Sequence, residues 1–140
     1  MRRFVNPGNT AFEVAVNSQI YVDKTGLLAY TNSVINTKQA LICSSRPRRF
    51  GKSITADMLC AYYSRGCDSD SIFASYEIAK SDSYKKYLNQ YDVIYLDIQW
   101  CMMDAGSAEQ TVSYLNYHVI EELKEIYPQI LLDGIRTAYG

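Results

Sequence analysis

The sequence predicts an α/β domain in which helices flank a parallel β-sheet, and three observations favour it. Residues 39–44 (QALICS) form a short apolar run, and residues 92–99 (DVIYLDIQ) form a second one. Short apolar runs of this kind are typical of strands buried on both faces. A stretch with helical spacing of apolar residues follows each run, and such alternation indicates a parallel sheet with helical crossovers.

The elements follow one another in a simple order. Residues 1–10 are an irregular lead-in, and residues 11–22 are expected to hold a short strand or turn. Asp23-Lys24-Thr25 then opens a short helix to about Ser33, with Asp23 or Thr25 as its N-cap. A loop follows the first strand, and apolar residues recur at helical spacing from Lys52 to Arg65.

The second half predicts a loop with some short structure over 67–80, a short helix at about 82–89 and a long amphipathic helix. Ser107 and Gln110 have the spacing of a capping box, and Pro128 ends the helix. Its apolar stripe consists of Ala108, Val112, Leu115, Val119, Leu123 and Ile126. Because two strands are few for a parallel sheet, residues 1–140 are expected to be the N-terminal portion of a single larger domain, incomplete at the C-terminus.

Composition excludes several classes of protein. The 140 residues carry a net charge of −1, which argues against a nucleic-acid grip spread over the whole surface. The four cysteines form no C-x-x-C pair and there is one histidine, so zinc-ligand spacing is absent. No apolar stretch is long enough to span a membrane, and free thiols fit a reducing cytoplasm.

The segment from Arg46 to Ser53, R-P-R-R-F-G-K-S, carries the functional signal. It matches the last glycine, the lysine and the serine of the phosphate-loop pattern G-x-x-x-x-G-K-[ST], and Arg46 stands at the first glycine position. A helix that begins at Lys52 would present unpaired N–H groups to a phosphate. Gly51 allows close approach, Lys52 reaches the β- and γ-phosphates, and the Ser53 hydroxyl ligates Mg²⁺. The predicted nucleotide-binding residues are Arg46, Pro47, Arg48, Arg49, Phe50, Gly51, Lys52, Ser53 and Ile54.

The same residues also have interpretations that involve no nucleotide. G-K-S also occurs by chance, and the three arginines also suit a solvated basic loop. A nucleic-acid patch is the other option, but its signal is weak because Phe50 is the lone interleaved aromatic. Asp97, at the end of the second predicted strand, is either a magnesium ligand or a polar residue at a strand exit.

Two motifs together resemble a known family. Tyr21-Val22-Asp23-Lys24-Thr25-Gly26-Leu27, followed by Ser45–Ser53 and Met58-Leu59, is similar to the AAA-ATPase-like family of bacterial P-loop NTPases, many of which carry a restriction-endonuclease-like nuclease domain. The resemblance covers essentially the whole chain and includes the arginine in place of the first glycine. It implies ATP and Mg²⁺ bound by the loop Arg46–Ser53, with Asp23-Lys24-Thr25 near it. It also implies that the magnesium acid lies in a later motif, beyond Gly140, which leaves Asp97 on an intervening strand.

Three functions compete at this point. The first is an ATP-binding ATPase module; with its acid beyond residue 140, the chain alone is expected to hydrolyse ATP poorly or not at all, so its status as an enzyme stays open. The second is a non-catalytic module that binds nucleic acid or a protein through the basic loop, and nucleic acid is also a possible partner through an absent C-terminal domain. A phosphoryl-transferring kinase ranks last, because the sequence offers no candidate base. The sequence leaves the base of the nucleotide and the oligomeric state undetermined.

Overall fold

The computed structural model describes residues 3–45 and 51–129, and in these ranges the regular structure is helical. The helices are α1 (Thr10–Val16), α2 (Gly26–Val34), α3 (Lys52–Tyr63), α4 (Asp70–Phe73), a 3₁₀ helix (Glu77–Lys80), α5 (Tyr84–Tyr87), α6 (Ile98–Ala105) and α7 (Ala108–Ile126). The chain divides into two compact units. Gly8–Asp92 forms one unit, and Met1–Pro7 together with Val93–Gly140 forms the other.

The predicted α/β fold with a P-loop NTPase-type parallel sheet is wrong. The described residues contain no β-sheet, and their strand-like pairing is limited to two isolated bridges, Val5 with Ile94 and Ser64 with Tyr91. The physical reason is exposure. Leu41 is 96% exposed and Ile42 47%, so the run 39–44 is not a buried strand but irregular chain at the surface.

The second predicted strand fails differently. Residues 92–99 lie beside the N-terminal segment, where the Val93 carbonyl accepts the Asn6 N–H at 2.7 Å and the Tyr95 N–H donates to the Phe4 carbonyl at 2.7 Å. The pairing stops there, because α6 begins at Ile98. Two hydrogen-bonded residues on each side give a bridge rather than a sheet.

The helical predictions are largely confirmed. α2 lies where the capping residues placed it, and α3 and α7 lie where the periodicity placed them. The helix predicted at 82–89 is reduced to the single turn of α5. The Ser107 hydroxyl accepts the Gln110 N–H at 3.2 Å, as a capping-box serine does. Residues 11–22, expected to be a strand or turn, instead contain most of α1.

Aromatic side chains fill the core of the Gly8–Asp92 unit. The rings of Phe12 on α1 and Phe73 on α4 stack with centroids 5.2 Å apart, and the Tyr62 ring of α3 meets Phe73 edge-on at 5.6 Å. All three side chains are fully buried, together with Leu28 of α2. This core joins α1, α2 and α4 to the C-terminal part of α3.

The other unit has its own core. Phe4 and Val5 pack with Cys101 of α6 and Val119 of α7, and all four are buried. In the predicted apolar stripe of α7, Val119 is buried and Leu115, Leu123 and Ile126 are partly buried. Val112 is 60% exposed, and Thr111 takes the inward position near the helix start.

Candidate functional site

The candidate site lies at the N-terminus of α3. Gly51 precedes the helix with φ 79° and ψ 24°, a left-handed conformation that glycine adopts without the steric penalty a Cβ would bring. Lys52 is the first helical residue, which confirms the prediction that the helix begins at the lysine. Ser53 and Ile54 follow in the first turn, and Lys52, Ser53 and Ile54 are all exposed. Arg46, Pro47, Arg48, Arg49 and Phe50 lie outside the described residues.

The backbone N–H groups in the first turn of α3 are part of the candidate site. Its first helical hydrogen bond runs from the Thr55 N–H to the Gly51 carbonyl at 2.9 Å, so the N–H groups before Thr55 have no acceptor within the helix. No side chain caps the helix, and no acidic residue lies in its first turn. By contrast, Asp97 and Ser107 cap α6 and α7 with side-chain oxygens. The helix dipole at α3 therefore favours a negative ligand.

A cavity of about 810 Å³ opens beside this turn. Lys24 and Leu27 line it from the start of α2, Ile42 from the surface segment, and Lys52 and Leu59 from α3. The volume lies within the range of small-molecule sites, roughly 300–1,000 Å³. Asp23 and Glu77 also line it, so the cavity combines apolar walls with two lysines and two carboxylates.

Lys24 approaches the same turn from a distant part of the sequence. A Cβ built on Gly51 would lie 3.0 Å from the Lys24 Nζ, the end of a flexible side chain that would shift by a few tenths of an ångström. The Lys24 side chain thus lies next to Gly51, the residue that precedes α3. Lys24 itself was absent from the predicted binding residues, and its signal in the sequence was the D-K-T motif.

Asp23 and Thr25 anchor this segment. The Asp23 Oδ1 accepts the Thr25 N–H at 2.8 Å and the Thr25 hydroxyl at 2.7 Å, and its Oδ2 accepts the Glu77 N–H at 2.8 Å. The buried Thr25 hydroxyl in turn accepts the Ile78 N–H at 3.1 Å. Thr25 occupies the N-cap position of α2, but its side chain bonds to this network and not to the helix.

The same contacts set the protonation of Asp23. Partial burial works to raise its pKa, but the hydrogen bonds from the Thr25 hydroxyl, the Glu77 N–H and the Thr25 N–H outweigh it and hold the pKa below its ordinary value. Asp23 is therefore a structural carboxylate at neutral pH.

Asp97 serves as a helix cap. Its Oδ1 accepts the Trp100 N–H at 3.0 Å at the start of α6, and the residue belongs to the unit that does not contain Lys52. Across residues 3–45 and 51–129 there is no group of three or more histidine, cysteine or acidic side chains that could hold a metal ion. None of the helices described is both long and apolar enough to traverse a bilayer.

Comparison with known proteins gives one match. No curated protein and no solved structure is significantly similar to this chain. A family described as predicted AAA-ATPase, the AAA-ATPase-like family, matches residues 8–133, which include α1 to α7 and the whole candidate site. The chain therefore belongs to the AAA-ATPase-like family, and at the level of that family it is an ATPase-like module.

Proposed function

We propose that this chain binds ATP with Mg²⁺ at the N-terminus of α3. One observation supports the proposal most strongly. Gly51 has a left-handed conformation and directly precedes α3, and the first turn of α3 has neither a side-chain cap nor an acidic residue. Membership of the AAA-ATPase-like family supports nucleotide use. The proposal needs no β-sheet, because the helix terminus and the lysine supply the attraction for phosphate.

Each residue of the turn has a defined part in this proposal. The N–H groups at the start of α3 donate to phosphate oxygens, and the Lys52 ammonium binds the β- and γ-phosphates. The Ser53 hydroxyl is a ligand for Mg²⁺, which when bound neutralises charge on those oxygens. Both side chains are exposed, and neither has a hydrogen-bond or ion-pair partner among residues 3–45 and 51–129. Arg46–Phe50 complete the proposed loop by their place in the sequence.

Calorimetric titration with ATP, with and without Mg²⁺, tests the proposal. Lys52→Ala removes the ammonium and is expected to weaken ATP binding roughly 10- to 100-fold, the range for lost hydrogen bonds to a charged group. Lys38→Ala is the matched control, because Lys38 is exposed in the same unit and does not line the cavity. ATP binding that is equally strong in wild type and Lys52→Ala contradicts the proposal.

Two further measurements separate the parts of the proposal. Ser53→Ala is expected to reduce the dependence of ATP affinity on Mg²⁺ while leaving metal-free binding nearly unchanged. Titration with a DNA duplex at several salt concentrations addresses the binding-module alternative. Salt-dependent DNA binding that survives Lys52→Ala and is indifferent to ATP would favour that alternative.

A further inference from the structure

A second cavity, of about 370 Å³, borders the same end of α3, and the proposed function does not use it. Gly51, Ile54 and Thr55 line this cavity from the start of the helix. Its volume lies within the range of small-molecule sites, roughly 300–1,000 Å³. A ligand whose charged end binds the first turn of α3 can therefore extend into it.

The walls of this second cavity are mainly apolar. Ile20 and Val22 line it from the segment before α2, and Ile54 and Met58 line it from α3. Ile20 is 88% exposed, Val22 65% and Ile54 42%, whereas Met58 is fully buried. Three large exposed apolar side chains thus border one cavity that has a buried fourth in its wall. Such a group is typical of a ligand site, because a bound ligand removes these side chains from water.

Tyr21 adds an aromatic ring to the wall of the cavity. The ring lies nearly perpendicular to those of Phe12 and Tyr76, with centroids 5.9 Å and 5.4 Å away, and these contacts hold it in place. Burial, and after it the charge of Asp23, raises the pKa of Tyr21 to about 12, so the ring is uncharged at physiological pH. A neutral aromatic ring beside aliphatic side chains is a suitable surface for a planar heterocycle.

Charge distinguishes this cavity from the larger one. Asp23 and Glu77 line the 810 Å³ cavity together with two lysines. Among the described residues that line the 370 Å³ cavity none is acidic, and Lys24 carries its one charged side chain. An uncharged planar group enters the smaller cavity without displacing water from a carboxylate, which makes its desolvation less costly there.

We infer that the 370 Å³ cavity holds the base of the nucleotide whose phosphates bind at the first turn of α3. This assignment rests on the proposed function and places the part of the ligand that the proposed function leaves unplaced. Ile20, Val22 and Ile54 contact the base, and Tyr21 presents its ring to it. Because such contacts are apolar, they add affinity for a nucleotide but none for an inorganic polyphosphate.

Calorimetric titration with ATP and with inorganic tripolyphosphate, both with Mg²⁺, separates base contacts from phosphate contacts. Ile20→Ser and Val22→Ser each remove an exposed apolar side chain from the cavity, so neither change disturbs the core. We expect each variant to bind ATP roughly fivefold more weakly, as part of an aliphatic contact is lost, and to bind tripolyphosphate as wild type does. Val14→Ser is the matched control, because Val14 is 67% exposed in the same unit and does not line the cavity.

Photolabelling with 8-azido-ATP locates the base without relying on affinity. On illumination the azide on the adenine ring reacts with neighbouring side chains, and peptide mapping then identifies the labelled segment. We expect the label within residues 18–22 or 54–58, and excess ATP should prevent it. Label on Leu27 or Leu59, which line the larger cavity and not the smaller, overturns the assignment.

The outcomes distinguish the placement of the base from the function beneath it. If Lys52→Ala weakens both ligands while the two serine variants bind ATP as wild type does, the base assignment is overturned and the proposed function stands. An equal loss for ATP and tripolyphosphate in the serine variants also overturns the assignment, because it points to a change at the phosphate site. If wild type binds neither ligand, the proposed function and the base assignment fail together.

Discussion

The Asp23 carboxylate reaches a segment 54 residues further along the chain, where its Oδ2 accepts the backbone N–H of Glu77 at 2.8 Å. This bond joins the segment before α2 to the 3₁₀ helix. Because Lys24 is the next residue after Asp23, the bond also fixes the backbone of Lys24 relative to the 3₁₀ helix. The sequence of that 3₁₀ helix contains no phosphate-binding motif.

The lowered pKa of Asp23 predicts an acid-sensitive contribution to stability. A carboxyl group whose pKa is lower in the folded than in the unfolded state stabilises fully above its unfolded pKa, about 3.9, and loses that effect as the pH falls through the folded value. Asp23→Asn is therefore expected to lower the free energy of unfolding at pH 7, by about 1 kcal/mol for the weakened hydrogen bonds.

Urea unfolding of wild type and Asp23→Asn between pH 7 and pH 3 measures this effect. The difference between the two proteins should shrink as the pH falls below about 4. Asp82→Asn is the control, since Asp82 is exposed in the same unit and has no hydrogen bond or ion pair to another described residue. A difference for Asp23→Asn that stays constant down to pH 3 would mean that its ionisation is not what stabilises the fold.

A buried polar network joins α2 to α3, and Asn32 is its centre. The Asn32 amide donates to the Tyr62 hydroxyl at 2.9 Å, and its carbonyl oxygen accepts the Tyr63 hydroxyl at 2.6 Å. Burial raises the pKa of Tyr63 to about 12, so this hydroxyl remains a neutral donor at physiological pH. Asn32→Ala leaves buried hydroxyl groups short of a partner and is expected to cost about 1–3 kcal/mol of unfolding free energy.

A double-mutant cycle with Tyr63→Phe isolates the bond between these residues. Because both changes remove the same interaction, their combined cost in urea unfolding should be smaller than the sum of the separate costs. Strict additivity would show that the bond contributes nothing measurable.

Sequence patterns predicted the helices better than the rest of the fold, for a physical reason. The spacing of apolar residues along α3 and α7 and the N-cap at Ser107 are local properties, so a few turns of sequence are enough to recognise them. A strand also requires a partner, which local sequence does not reveal. The runs 39–44 and 92–99 have strand composition, but one is exposed chain and the other pairs briefly with the N-terminal segment.

The candidate site divides in the same way. Gly51 and Lys52 at a helix start were predictable, because the glycine, the lysine and the helical period are contiguous in sequence. The approach of Lys24 to Gly51 depends on how α2 packs against α3 and on the bond from Asp23 to Glu77. Those contacts are long-range, and spacing alone does not locate them.

Asn89 combines an unusual backbone conformation with several hydrogen bonds. Its φ is 54°, and its side-chain amide donates to the carbonyls of Ala61 at 3.1 Å and Ser64 at 2.8 Å, while its oxygen accepts the Ser69 N–H at 3.0 Å. Asn89→Ala loses these bonds and adds left-handed strain, for an expected cost of about 3 kcal/mol.

Asn89→Gly separates the two contributions. Glycine tolerates the positive φ, so this variant should be about 1 kcal/mol more stable than Asn89→Ala in urea unfolding. Asn36 is the matched control: its φ is 62°, it is exposed, and it has no side-chain hydrogen bond to another described residue. Asn36→Ala should show the strain alone, and equal stability of the alanine and glycine variants at position 89 would argue against strain there.

The Glu122 side chain of α7 binds the backbone of the N-terminal segment, residues 3–5. Its Oε1 accepts the Arg3 N–H at 2.9 Å, and its Oε2 accepts the N–H groups of Phe4 and Val5, each at 2.8 Å. Phe4 and Val5 belong to the core of this unit, so their N–H groups are shielded from water and depend on this acceptor. Glu122→Ala is expected to cost about 2–3 kcal/mol, because hydrogen bonds to a charged group are lost.

Amide hydrogen exchange at Phe4 and Val5 measures this directly, since these two N–H groups should exchange much faster in Glu122→Ala than in wild type. Glu121→Ala is the control: it removes an adjacent carboxylate whose only described partner is Lys124 at 3.4 Å on the surface, and such a pair contributes about 0.5 kcal/mol or less. Unchanged protection of Phe4 and Val5 in Glu122→Ala would mean that apolar packing alone holds the segment. Faster exchange confined to these amides would show that one carboxylate fixes the N-terminal segment against α7, so that its apolar side chains pack in a single register.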